Sequence, residues 1–190
     1  MGLIKDLKLV KNIRIIRRYF IINGFDGAIT VLGLLLGFFY VGTTNIRTIL
    51  AAGLGTAVAM CISGISSAYL SEKAEKIKEL REIEKAMLKT LRNTKIGNAA
   101  KTAPLITGLV NGTSPLLMAL VILVPFIIGN FIPANVKLLF YLSFILCFLS
   151  LFLMGMFMGK ISKTNMVVYG LKTLLVGIAT VVILMLLKLY

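Results

Sequence analysis

Five apolar runs, each about twenty residues long, dominate this 190-residue chain: roughly Tyr19 to Val41, Ile49 to Leu70, Pro104 to Gly129, Val136 to Met158 and Val167 to Leu187. At ~1.5 Å per residue, a helix of about twenty apolar residues matches the ~30 Å hydrocarbon core of a bilayer. Inside lipid the backbone must satisfy its own hydrogen bonds, which leaves only helices and closed barrels. None of the runs has the short, even alternation of a barrel strand. The sequence therefore predicts an all-α polytopic membrane protein with five transmembrane helices. Composition agrees, with 58% hydrophobic and 15% charged residues, against about half apolar and a quarter charged in soluble domains. Little chain is left outside the runs, so a single membrane domain over residues 1–190 is the expected organisation.

The basic residues are distributed unevenly. Six precede Tyr19 (Lys5, Lys8, Lys11, Arg14, Arg17 and Arg18), nine follow the second run, and Lys160, Lys163 and Lys172 surround the entrance to the fifth. Arg47, Lys137 and Lys188 fall on the other side, giving eighteen against three. By the positive-inside rule the N-terminus is expected in the cytoplasm and the C-terminus across the membrane, which is either the plasma membrane or an internal one. The net charge of +14 is then a topological signal plus attraction to anionic headgroups. It does not argue for nucleic acid as a partner, since no reader motif accompanies it.

Residues 1–18 mix Leu3, Ile4, Leu7, Val10, Ile13 and Ile16 with Lys and Arg, the pattern of a basic amphipathic segment lying on headgroups. Cys61 and Cys147 fall inside apolar runs and read as small buried hydrophobes. Between the second and third runs, residues 71–102 form an expected cytoplasmic helical segment that continues the second helix: Ser71 to Leu91 contains neither Gly nor Pro, and Ile77, Leu80, Ile83, Met87 and Leu91 recur at helical spacing. On that helix Glu72, Glu75, Glu79 and Glu82 share an arc of about 80°. Such a stripe can bind a divalent cation if a partner helix adds oxygens. It can equally be a solvated face, with Glu72–Lys76, Glu75–Lys78 and Glu82–Lys85 at ordinary pairing distances.

The third run carries Asn111-Gly112-Thr113-Ser114-Pro115. Pro115 has no amide to give the Asn111 carbonyl, and Gly112 loosens the same turn. The expectation is a kink or a partly unwound turn, which at membrane depth is tolerated against protein or a water-filled path; a proline kink satisfied by neighbouring Ser and Thr, or a membrane entry nearer Ser114, fits the residues equally. Small residues in Gly33-x-x-x-Gly37, in Gly53-x-x-x-Ala57-x-x-x-Cys61 and in the stripe Ser63, Ser67, Ser71 mark faces where helices can approach closely, within one chain or across a dimer.

Asp26 is the one acidic side chain that the bilayer would have to bury. An ionised carboxylate there costs several kcal/mol, so the default reading is an ion-path residue. Thr30, Ser63, Ser67, Asn111 and Ser114 are the candidate neutral oxygens around such a path. In the rival reading the chain is a non-transporting scaffold or assembly protein, and Asp26 caps the first helix or pairs with Arg17, Arg18 or a backbone amide near the interface. Enzyme chemistry lacks its parts: there is no His and no Cys-x-x-Cys, and the second aspartate, Asp6, lies in the basic N-terminal segment.

Asp26-Gly27-x-x-Thr30-x-x-Gly33-x-x-x-Gly37 resembles the first-span signature of the vacuolar iron transporter family, approximately DGLVTTFGVVAG. Ala52-Gly53-Leu54, Val58-Ala59, Ser63 and Tyr69-Leu70-Ser71 resemble that family's AGL…VA…S…GEYLS stretch without a gap. The resemblance implies a homodimer that exports Fe2+ or Mn2+ from the cytoplasm in exchange for protons, the metal being cargo and no cofactor being required. It implies Asp26 on the path, and glutamates of the cytoplasmic segment, here Glu72, Glu75, Glu79 and Glu82, gathering metal. Two positions depart from the family pattern: Gly64 stands where Met is usual and Ala68 where the Glu of GEY is usual. The missing thioether weakens any preference for soft metals, and a different ion is a further possibility.

The charge asymmetry sets a topology test. With Cys61 and Cys147 replaced by alanine, a cysteine at Lys78 should react with an impermeant maleimide only from the cytoplasmic side of sealed vesicles, and one at Lys137 only from the other. The opposite pattern means that the chain is inserted the other way up.

Overall fold

The computed structural model describes residues 12–91 and 94–187. Residues 1–11 of the expected amphipathic segment lie outside them. Five helices follow one another: α1 (Asn12–Val41), α2 (Ile46–Met87), α3 (Lys95–Gly129), α4 (Val136–Ile161) and α5 (Met166–Leu186). All five are long and apolar enough to cross a membrane, as the runs predicted, and no strand occurs among the described residues. This is an integral membrane protein.

The loops are closed by local chemistry. Asn45, Asn135 and Asn165 turn their side-chain oxygens onto amides at the starts of α2, α4 and α5, with Oδ1 accepting from Arg47, Lys137 and Val167 N–H at 3.0 Å each. Each supplies an acceptor to an amide that a helix start leaves unpaired. Gly42, with φ 73°, ends α1 in the left-handed conformation that glycine adopts without a Cβ penalty.

At 42 residues, α2 is about 63 Å long, twice what the hydrocarbon core requires. Its C-terminal part therefore runs on beyond the membrane, as the sequence predicts. It stops at Met87 rather than Leu91. Leu88 takes φ 49°, and Glu84 holds the turn: its backbone oxygen accepts from Lys89 N–H at 3.2 Å and its carboxylate from Leu91 N–H at 2.7 Å. Leu91 is buried beyond the helix end, so its helical spacing reflects a core contact outside the helix.

Of the kink or partly unwound turn expected at 111–115, the unwound turn does not form. α3 is helical throughout, with Pro104, Pro115 and Pro125 all inside it. A proline removes only its own amide, and the surrounding ladder carries the helix across the gap.

The chain is arranged as two compact units. Of the described residues, one unit comprises 12–23 with Cys61–Ser114; the other comprises Gly24–Met60 with 115–187. The second unit has a conventional large-side-chain core of Val31, Leu32, Leu35, Ile49, Ile122, Leu123, Phe126 and Leu151, all at 0% exposure. Edge-to-face rings extend it, with Phe126–Phe140 at 4.9 Å and Phe39–Phe140 at 5.4 Å between centroids. Within it α4 and α5 form a hairpin in which Gly155 meets the Gly170 backbone, and Thr173 Oγ1 donates to Leu151 O at 2.9 Å.

The first unit is built differently. Its buried residues are mostly small or polar: Ala68, Ala99, Ala103, Thr107, Asn111 and Ser114. α2 and α3 touch backbone to backbone. A Cβ on Gly64 would come within 2.9 Å of the Gly112 Cα, and one on Gly112 would overlap the Cys61 carbonyl and the Ile65 side chain. Gly112→Ala should therefore destabilise the purified protein by about 1–3 kcal/mol in denaturant unfolding. Gly55→Ala, where nothing lies within 4 Å of the new methyl, should shift stability by less than about 0.5 kcal/mol. Equal effects at the two sites would contradict the close approach.

Candidate ion-path residues

On α1 the second unit divides inward from outward residues cleanly. Gly27 backs onto Pro115, where an added Cβ would lie 2.6 Å from the proline Cα. Ala28, Val31, Leu32, Leu35 and Leu36 are buried. Asp26, Thr30 and Gly37 are exposed, with Gly33 half-buried between them. The spacing 26, 30, 33, 37 is one face of a helix. Gly37 has nothing within 4 Å, and Gly33 only a Leu184 methyl at 3.9 Å. The Gly33-x-x-x-Gly37 motif is thus hardly used in packing this chain, whereas Gly53 and Ala57 on α2 are buried, Gly53 against Leu123.

Asp26 lies about 15 Å along the apolar stretch of α1, which starts at Ile16. It makes no ion pair or hydrogen bond among the described residues. The capping alternative is overturned, because α1 begins at Asn12, several turns earlier. Pairing with Arg17 or Arg18 does not occur either; the Arg18 guanidinium instead lies 5.9 Å from the Tyr19 ring centroid.

In the first unit, Asn111 and Ser114 are at 5% and 0% exposure, and both are engaged. Asn111 Nδ2 donates to the Gly64 carbonyl at 2.8 Å, Asn111 Oδ1 accepts from Asn23 Nδ2, and Asn23 Nδ2 also reaches Tyr19 O at 2.9 Å. Ser114 Oγ donates to the Phe20 carbonyl. These bonds join α1, α2 and α3 at one level. Asn23 is an amide within an apolar run, and sequence spacing does not show its bonding to Asn111. Thr107, one turn before Asn111, is fully buried with no partner for its hydroxyl.

Ser63 and Ser67 lie on the exposed face of α2, where Ser67 Oγ back-bonds weakly to Gly64 O at 3.4 Å. Glu75, Glu79 and Glu82 are exposed and Glu72 is half-buried. Of the possible helical ion pairs, Lys76–Glu79 at 2.7 Å forms; Glu72–Lys76, Glu75–Lys78 and Glu82–Lys85 are not among the ion pairs of the described residues. No three Asp, Glu or Cys side chains among those residues converge to hold a metal ion. Gly64 and Ala68, where the resemblance would have Met and Glu, both sit in close packing, Gly64 against Gly112 and Ala68 buried.

A double-mutant cycle on Asn23→Ala and Asn111→Ala should return a coupling of about 0.5–1.5 kcal/mol in unfolding free energy. Strict additivity would show that the two amides are not bonded.

A model of the VIT family matches residues 17–94 and 72–188. An uncharacterized protein of Methanocaldococcus jannaschii is 31% identical over 169 residues, covering 87% of this chain and 85% of that protein. No solved structure matches the chain.

Proposed function

Because the chain belongs to the VIT family, a family of membrane metal-ion transporters rather than enzymes, we propose that it exports a divalent cation, Fe2+ or Mn2+, from the cytoplasm in exchange for protons, as a homodimer. The observation that carries this reading is the exposure of Asp26 and Thr30 midway along α1, on a helix whose other face is packed. A carboxylate turned to hydrocarbon costs several kcal/mol, and membrane proteins place such groups against protein or water. A second copy laid on the Asp26, Thr30, Gly33, Gly37 face removes the carboxylate from lipid. Gly33 and Gly37 permit the close approach that such a contact needs.

In that arrangement two Asp26 carboxylates and two Thr30 hydroxyls share one polar seam. Hard oxygens suit a divalent ion of the Fe2+ or Mn2+ kind better than a soft one. Asp26 binds the cation on one side of the membrane and, once it leaves, takes up a proton for the return. Ser63 and Ser67 offer hydroxyls from the outward face of α2 in the first unit, where Asn111 and Ser114 tie α1, α2 and α3 together. Glu72, Glu75, Glu79 and Glu82 collect cations on the cytoplasmic side, where a second copy supplies the oxygens that one chain lacks.

The test is flux of Fe2+, Mn2+ and protons in proteoliposomes under an imposed pH gradient. Wild-type protein should move metal with counter-movement of protons, and Asp26→Asn should lose at least about 90% of coupled flux while unfolding at the wild-type temperature. Full activity in Asp26→Asn would falsify the mechanism.

A further inference from the structure

In the first unit, where α2 leaves its apolar run and α3 approaches its own, lies a cavity of about 600 Å3. Lys73, Lys76, Arg81 and Lys101 line it with Tyr69 and a single carboxylate, Glu84. The pairing chemistry leaves it strongly cationic. Lys76 is matched by Glu79 at 2.7 Å, and the Glu84 carboxylate already accepts the Leu91 amide at 2.7 Å. Lys73 holds its ammonium 5.3 Å from the Tyr69 ring centroid. Lys73, Arg81 and Lys101 have no carboxylate partner among the described residues. Cations gathered in a partly enclosed space repel one another and concentrate anions. The same field repels a divalent cation, so this cavity is not a place for the cargo.

Its level in the membrane narrows the ligand. The apolar run of α2 ends at Leu70 and that of α3 begins at Pro104, so Lys73 and Lys101 each lie about 5 Å beyond hydrocarbon along their helices. That is headgroup depth. Arg81 stands about two turns further out than Lys73, giving the cationic lining an extent along the membrane normal. Ile77 and Leu80 add an apolar wall. Basic pockets of this kind between membrane helices suit phosphate-bearing headgroups.

We propose that this cavity binds a phosphate-bearing anion, with Lys73, Arg81 and Lys101 contacting the phosphate oxygens. An anion there relieves the mutual repulsion of these side chains and ties the extension of α2 to the start of α3. The inference does not depend on which ion the protein carries.

The full-length chain in detergent is titrated with short-chain phosphatidylglycerol or with inorganic phosphate. Binding is read by thermal midpoint and by native mass spectrometry. At least one probe should raise the midpoint of the wild type and remain bound. Lys73→Gln with Lys101→Gln should weaken that binding about tenfold or more, given about 1 kcal/mol per basic residue near an anionic surface. Lys101→Arg should bind as wild type, as should Lys137→Gln, which lies outside the cavity. If only phosphatidylglycerol binds, the source is a lipid headgroup; if inorganic phosphate binds and displaces the lipid, it is a soluble phosphate. Should the double variant not fold, Arg81→Gln alone carries the test, with about fivefold weakening expected. Equal binding by wild type and the cavity variants, or no binding of either probe to wild type, overturns the proposal.

Discussion

Lipid gives helices no hydrophobic reason to associate, because a neighbouring helix is no more apolar than the acyl chains it replaces. What holds helix to helix in such a solvent is close contact and the pairing of polar groups, and this chain uses both at one level of its first unit. The Gly64 and Gly112 backbones meet, which brings the Asn111 amide within reach of the Gly64 carbonyl and of Asn23. Each element supports the others. Without glycine at 64 and 112 the helices separate, and with separation the amides lose partners they cannot replace from hydrocarbon. The second unit solves the same problem with larger surfaces, interlocking Phe39, Phe126 and Phe140, and by setting Gly155 against the Gly170 backbone.

Much of this was legible in the sequence, and the reasons for success and failure are physical. Five apolar runs gave five helices because lipid allows little else. The extension of α2 was readable from an uninterrupted helical period. Periodicity failed at its end, since Leu91 repeats correctly yet is buried outside the helix, past a left-handed Leu88. Of the two readings of Pro115, the unwound turn failed because one missing amide is a small defect in a 35-residue helix. Gly33-x-x-x-Gly37 and Gly53-x-x-x-Ala57 looked alike as small-residue faces, but only the second is spent within the chain. Sequence spacing says that a face permits close approach; it does not say whose helix makes it.

The candidate site shows the same limit more sharply. Asp26 stood out by charge alone, and its location along α1 makes capping impossible. Asn111 and Ser114 stood out by their proline-broken context, yet both are bonded to backbone carbonyls of neighbouring helices. Their polarity serves assembly first. Ser63 and Ser67 share the small size and spacing of packed residues but face outward. A polar residue in a membrane helix therefore carries two competing explanations, and the distinguishing fact is whether its hydrogen-bonding capacity is already used. By that criterion, among the described residues, Asp26 and Thr30 are open groups of α1, and Asn23, Asn111 and Ser114 are closed ones.

The two departures from the family pattern then acquire a common cause. A side chain at 64 needs room that the Gly112 backbone occupies here. Ala68 is likewise buried, at 5% exposure, and a carboxylate there would require a charge partner or a water path. Close helix packing thus occupies both positions in this chain. The proposed transport path then rests on Asp26 and neutral oxygens. Such a path holds a cation by charge and hydration rather than by thiophilic preference, and is expected to discriminate less sharply among divalent ions than one lined by methionine and glutamate.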